Sequence, residues 1–180
     1  MHPDLTYDGQ RLHWNGHGTF AATSGLPDFQ LPKFQCFPDA GPVPEGFYTL
    51  SLKEDPKPAR DDGTDSCRLI PAQRVQTIPR RESAGVCEPF WANWGTWRVR
   101  LEPADAATRR KCSPRRAGFY LHDSKKGYSH GCIEVEPRFF AALRGHIAAI
   151  KARRVPTADH LTLKVHYVPG RATNGGTKAP

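Results

Sequence analysis

Glycine and proline break this chain into short pieces. The 16 Gly and 17 Pro among 180 residues, about 18% against the usual roughly 12%, favour many short strands joined by turns over long helices. Hydrophobic residues make up only 38%, but four Trp, five Tyr and nine Phe supply bulky core material, so a packed domain is expected rather than a disordered chain. The length suits one domain with its own core. The longest wholly apolar stretch, Phe139 to Leu143, is far too short to span a bilayer. No fixed-period repeat is visible, which argues against a solenoid or propeller.

The pattern along the chain predicts a mainly β fold with one helix, over residues 137–153, packed on the sheet. Leu5, Tyr7, Leu12 and Trp14 alternate with polar residues around Asp8-Gly9, a two-residue hairpin signal. Asn15-Gly16 repeats it before Thr19 to Ser24, giving three strands. Five Pro make 26–46 an extended loop, 46–52 is a strand, and 53–66 is a polar surface loop. Residues 67–95 stay ambiguous. Residues 97–101 alternate as a strand with one buried face, 104–116 form a loop or short helix, and 118–121 and 132–135 are strands flanking a polar segment. Pro137 suits the start of the helix, and Phe140, Leu143, Ile147 and Ile150 fall on one face. Lys151, Arg153 and Arg154 complement the helix dipole and Pro156 ends it. An alternating strand over 161–168 closes a domain spanning 1–168, and 169–180, with Gly175-Gly176, reads as a flexible C-terminal tail.

A net charge of +8 and a pI near 9.5 attract polyanions such as an anionic cell wall, lipid or nucleic acid. The basic residues come in scattered pairs such as Arg80-Arg81 and Lys125-Lys126, without the long run of a nucleic-acid arm. The expectation is therefore a solvated basic surface that favours an envelope, with no nucleic acid and no membrane insertion. The opening residues, Met1 to Thr6, lack the basic start and apolar core of a secretory signal. Work outside the producing cell would need another export route.

One segment concentrates chemistry: His122-Asp123-Ser124-Lys125-Lys126-Gly127-Tyr128-Ser129-His130-Gly131-Cys132. A cysteine attacks a carbonyl as thiolate and needs a base or positive field nearby. Cys132 opens a strand, not a helix, so an imidazole must serve. His122 ends the preceding strand and the loop returns it toward Cys132. Gly131 permits backbone conformations closed to other residues, letting the Gly131 and Cys132 amides converge on an oxyanion. On residues alone, packing, a cysteine nucleophile and a partial zinc site stay open, although zinc lacks paired spacings such as Cys-x-x-Cys.

Ser129-His130-Gly131-Cys132-Ile133, with His122 upstream, resembles the Ser-His-Gly-Cys signature of the L,D-transpeptidase (YkuD-like) catalytic domain. Pro44-Glu45-Gly46-Phe47-Tyr48 and Ala22-Thr23-Ser24-Gly25 are similar to two further family stretches. The whole looks most like the small L,D-transpeptidase effectors delivered by type VI secretion. Only six residues separate His122 from Ser129, where the usual enzymes have many more, and Glu134 stands where Asn or Arg is common.

The resemblance implies a β-sandwich-like domain and a peptidoglycan-modifying enzyme without a cofactor or metal. Cys132 would attack the third residue of a tetrapeptide stem, displacing the terminal D-alanine and leaving a thioester. His122 would move the proton, the Gly131 and Cys132 amides would hold the oxyanion, and Ser129 and His130 would shape the turn. Ser124, Tyr128 and Lys125 are the candidates to bind substrate. The short flap ranks L,D-carboxypeptidase trimming and D-amino acid exchange above cross-linking. The partners would be stem peptides and a cognate immunity protein, and the place of action the periplasm of a target bacterium. The alternatives are a papain-like Cys/His amidase and a non-enzymatic basic envelope-binding module.

Four cysteines remain, allowing three pairings in an oxidising compartment. Cys67–Cys87 is the first choice, because both lie in the irregular region that most needs a staple. Trp91, Trp94 and Trp97 are expected in core packing ahead of sugar stacking, and Asp123 and Ser124 are candidates to orient His122.

Overall fold

The computed structural model describes residues 2–153 and 158–180. Among them, ten strands form one sheet: β1 (Leu5–Tyr7), β2 (Arg11–Trp14), β3 (Gly18–Ser24), β4 (Gly46–Ser51), β5 (Gln76–Thr77), β6 (Trp97–Arg100), β7 (Glu102–Pro103), β8 (Tyr120–His122), β9 (Ile133–Val135) and β10 (His160–Val165). Their order is β5-β6-β8-β9-β3-β2-β1-β10-β4-β7. Two one-turn helices, α1 (Glu88–Trp91) and α2 (Ala106–Arg109), accompany one long helix, α3 (Arg138–Arg153). The fold is mainly β, as the punctuation predicts.

The hairpin forms where the Asp-Gly signal lies. The Asp8 carboxylate accepts from the Gln10 and Arg11 amides, both at 2.8 Å, and Gly9 takes φ +103°. The following strand β3 does two jobs. Its first half pairs with β2 and its second half with β9, so the sheet is continuous but curled. The curl brings β4 against β6, although six strands lie between them in the order.

Inside the curl sit Leu5, Leu12, Val99, Leu121, Ile133 and Leu163, all essentially without exposure. Helix α3 closes the core with Phe139, Phe140, Leu143 and Ile147. Ile150, predicted on this face, is only half-buried at its edge, and Phe139 takes the inner place against Trp14 and Phe20. The helix begins one residue after Pro137. The stop assigned to Pro156 lies outside the described residues.

The ambiguous stretch 67–95 becomes a small second lobe. Ala59, Leu69, Ile78, Ala84 and Trp91 form its core, and Cys67–Cys87 staples it as expected. A second disulfide, Cys36–Cys112, ties the Pro-rich loop to the segment after α2.

The C-terminal stretch corrects the sequence reading. Residues 169–180 do not trail free. Thr173 is fully buried, bridging Ser24 and Gln30 through its backbone, and its hydroxyl donates to the Ser24 carbonyl at 2.6 Å. Gly175 threads so close to β3 and the turn before β2 that a Cβ there would lie 2.4 Å from the Ala22 carbonyl oxygen and 2.1 Å from that of Gln10. Ala179 donates to the Lys125 carbonyl at 3.0 Å. With few apolar residues, the segment is held by backbone and threonine hydrogen bonds, which hydropathy does not register.

Candidate active site

Strand alternation places the chemistry. Leu121 and Ile133 point into the core, so their neighbours Tyr120, His122, Cys132 and Glu134 turn to the opposite face. Strands β8 and β9 pair in parallel, Leu121 with Ile133 and His122 with Glu134. Cys132 therefore lies beside Tyr120, one step from His122. Parallel neighbours cannot be joined by a tight hairpin, so 123–132 runs back over this face and roofs the site. On the other side of β8, Arg98 stands opposite His122.

His122 and Cys132 share one cleft of about 160 Å³ with Asn93, Trp94, Lys126, Ser129 and His130. Larger clefts of about 410 and 450 Å³ elsewhere contain no cysteine. Cys132 is the free cysteine, since the other four are in disulfides. It is packed deep among protein atoms yet keeps part of its surface open to the cleft.

Both groups are neutral near neutral pH. Burial drives the His122 pKa down to about 3, with the Lys126 and Arg98 charges adding to the effect and the Trp94 backbone opposing it. Its Nδ1 is buried without a hydrogen-bond partner. Burial also pushes the Cys132 thiol up, against the Tyr120 backbone and the charges of Arg98, Lys126 and Arg116. The sequence reading expected an imidazole that ionises the sulfur. Instead burial disfavours each ionisation alone, and opposite charges formed together on sulfur and imidazole would offset one another.

The turn before Cys132 is rigid. The Ser129 hydroxyl, essentially unexposed, donates to the Cys132 carbonyl and accepts from the Gly25 and Gly131 amides at 3.2 and 3.3 Å. Ser24 adds a bond to the Cys132 carbonyl at 2.8 Å. Gly131 has φ +115°, and a Cβ there would sit 2.3 Å from Arg116 Nη2, so its place demands glycine. One expectation fails here. The Gly131 amide, assigned to an oxyanion, is spent on Ser129. His130 is exposed at the rim, its Nδ1 2.9 Å from the Asp39 carbonyl, so it anchors the Pro-rich loop as well as lining the cleft.

The predicted substrate contacts are largely corrected. Ser124 is buried and donates to Glu134, so its hydroxyl is unavailable to a ligand. Lys125 is exposed and lies outside the cleft, as does Tyr128, whose ring carries the Lys126 ammonium at 4.7 Å. Lys126, the second member of the Lys pair, reaches the cleft. Asp123 does not orient His122; it accepts from the Thr96 and Trp97 amides at 2.6 and 2.8 Å and so fixes the loop carrying Trp94.

Glu134 is the hub of the roof. Fully buried, it accepts from the Ser124 hydroxyl, the Lys126 and Gly127 amides and the Thr177 hydroxyl. Trp94 packs against the core of the second lobe and also stands edge-on to His122 at 5.4 Å, forming a wall of the cleft. Trp91 is core, as expected. Sequence reasoning missed Arg98, which is 1% exposed. Its guanidinium is held by Gln76 and the Ile70 carbonyl, at 3.0 and 2.8 Å, and by the faces of Trp94 and Tyr120. The alternation of 97–101 puts Arg98 off the core face; only the pairing of β6 with β8 puts it beside His122. Among the described residues no three His, Cys, Asp or Glu side chains converge as a metal site. No protein-family model and no curated protein matches the chain.

Proposed function

We propose that this chain is a cysteine enzyme of the L,D-transpeptidase type that trims or exchanges the terminal D-alanine of peptidoglycan tetrapeptide stems. The observation that carries the reading is a free cysteine sharing a small cleft with a neutral histidine whose Nδ1 is buried and unpartnered. The curled sheet with its single long helix would be this chain's form of the family's sandwich-like domain.

As substrate enters, the Cys132 thiol gives its proton to His122 while sulfur bonds to the carbonyl carbon of the third stem residue. The tetrahedral intermediate collapses with breakage of the carbon–nitrogen bond, and the imidazolium returns the proton to the departing amine of D-alanine. The thioester then passes its acyl group to water, with His122 taking the water proton and returning it to sulfur, or to the amine of a free D-amino acid. Nearby Arg98, Lys126 and Arg116 favour negative charge on sulfur and on the developing oxyanion.

Two disulfides suit an oxidising compartment, and a charge of +8 suits an anionic wall. Both support action in the periplasm of a target bacterium, as an antibacterial effector opposed by an immunity protein in its producer. The papain-like alternative is disfavoured because Cys132 precedes a strand, not a helix.

The deciding experiment incubates purified protein with tetrapeptide muropeptides and reads product masses and D-alanine release. Loss of D-alanine, or its exchange, should be abolished by Cys132→Ala. Unchanged turnover by that variant removes Cys132 as the nucleophile, and no turnover by the parent removes the enzyme reading and leaves the envelope-binding one.

A further inference from the structure

Three cations act on the Cys132 sulfur: Arg98, Lys126 and Arg116. Two are already engaged by the protein. Arg98 is bound by Gln76 and the Ile70 carbonyl, and Arg116 donates to the Gln35, Gly41 and Pro42 carbonyls. Lys126 alone of the three lines the cleft. Its own acidic neighbour, Glu134, already accepts four hydrogen bonds from other donors and has no exposed surface.

The position of Lys126 is also built rather than incidental. Glu134 holds its amide at 2.9 Å and that of Gly127 at 2.7 Å, and Gln30 donates to the Gly127 carbonyl at 2.8 Å. The side chain is half-buried and lies over the Tyr128 ring. In this mostly apolar cleft the Lys126 ammonium has Glu134 as its charged neighbour, already saturated by other donors, and can take a further anion. The cleft, at about 160 Å³, is well below the roughly 300–1,000 Å³ of sites that take whole small-molecule ligands. It is walled by Trp94 and Asn93, and a volume this small suits the end of a chain better than a long substrate segment.

We infer that Lys126 receives the free carboxylate that terminates the substrate, next to the bond that Cys132 attacks, so that the cleft selects chain ends over internal bonds. This rests on the reading of Cys132 as the nucleophile. A carboxylate could also come from the side chain of a diamino dicarboxylic acid at the third stem position; the small volume favours the terminal one.

The test compares three soluble tetrapeptides with the purified full chain: the free acid carrying a diamino dicarboxylic acid at the third position, its C-terminal amide, and the free acid with lysine at the third position. The parent protein should prefer the acid over its amide by about 10- to 100-fold in kcat/KM, the range of a charge-assisted hydrogen bond. The lysine-containing acid should be used nearly as well as the first peptide. In Lys126→Gln the acid-to-amide ratio should fall to near one, and Lys126→Arg should restore part of it. A ratio in the parent already near one, or Lys126→Gln losing acid and amide equally, would overturn the inference. So would a penalty that follows the diamino acid carboxylate instead. Failure of the parent on all three peptides, with Cys132→Ala indistinguishable from it, would instead fault the nucleophile assignment.

Discussion

His122 stands directly opposite Glu134, not Cys132, across the parallel pair of β8 and β9. The sulfur's immediate cross-strand neighbour is therefore Tyr120, and the imidazole must approach along the diagonal. This offset lets a neutral histidine and a neutral thiol share one cleft while a buried carboxylate, one step further on, organises the roof above them.

The neutrality of the pair is measurable through Cys132 alkylation. Burial raises the thiol and lowers His122 to about 3, so no thiolate–imidazolium pair is preformed in the free protein. Iodoacetamide labelling of Cys132 should climb through alkaline pH. A plateau already reached at pH 6 would contradict this.

Stability should carry the mark of His122 as well. The unfolded chain takes up this proton near pH 6.5, whereas the folded protein resists it until about pH 3. Across that window the unfolded state binds more protons, so stability falls as pH falls, by up to about 1.4 kcal/mol per pH unit from this group. His122→Asn should flatten the decline in denaturant-derived stability between pH 6 and 4. An unchanged slope would show that other groups govern it.

Arg98 is predicted to act through charge. Arg98→Met keeps much of the side-chain bulk against Trp94 and Tyr120 but removes a cation that favours the thiolate. It also strands the buried Gln76 acceptor, costing about 1–3 kcal/mol. The alkylation profile of Cys132 should move to higher pH. If only the melting temperature drops and the profile stays put, Arg98 is structural alone.

The two disulfides should separate stability from activity. Cys36–Cys112 spans 76 residues and Cys67–Cys87 spans 20, so chain entropy assigns about 4–5 and about 3 kcal/mol respectively. Removing the first with paired Cys→Ser changes should cost more in global unfolding. Removing the second should cost more in turnover relative to its stability loss, because its lobe carries Trp94 and Asn93 to the cleft. Equal effects on both readouts would refute the division.

The C-terminal strap should matter to the site. Thr177→Val deletes one donor to buried Glu134, an effect of about 1–3 kcal/mol, and loosens the amides of Lys126 and Gly127. Amide hydrogen exchange over 124–128 should quicken, with reduced activity. Unaltered exchange there would mean the strap is decorative.

Much was already legible in the residues. Punctuation by Gly and Pro dictated short strands, Asp8-Gly9 marked a hairpin, and the spacing of Phe140, Leu143 and Ile147 marked the one long helix, because these signals are local and each is read within a few residues. The Cys67–Cys87 staple and the meeting of His122 with Cys132 were legible too, since a short connection leaves little freedom. What only the tertiary structure decided depends on partners distant in the chain. Arg98 beside His122, Thr177 on Glu134, Ser129 drawing off the Gly131 amide, and Lys126 rather than Lys125 facing the cleft all follow from sheet pairing and the curl. Strand alternation tells a residue which face it takes, but which strand lies next to it is settled by the packing of the whole core.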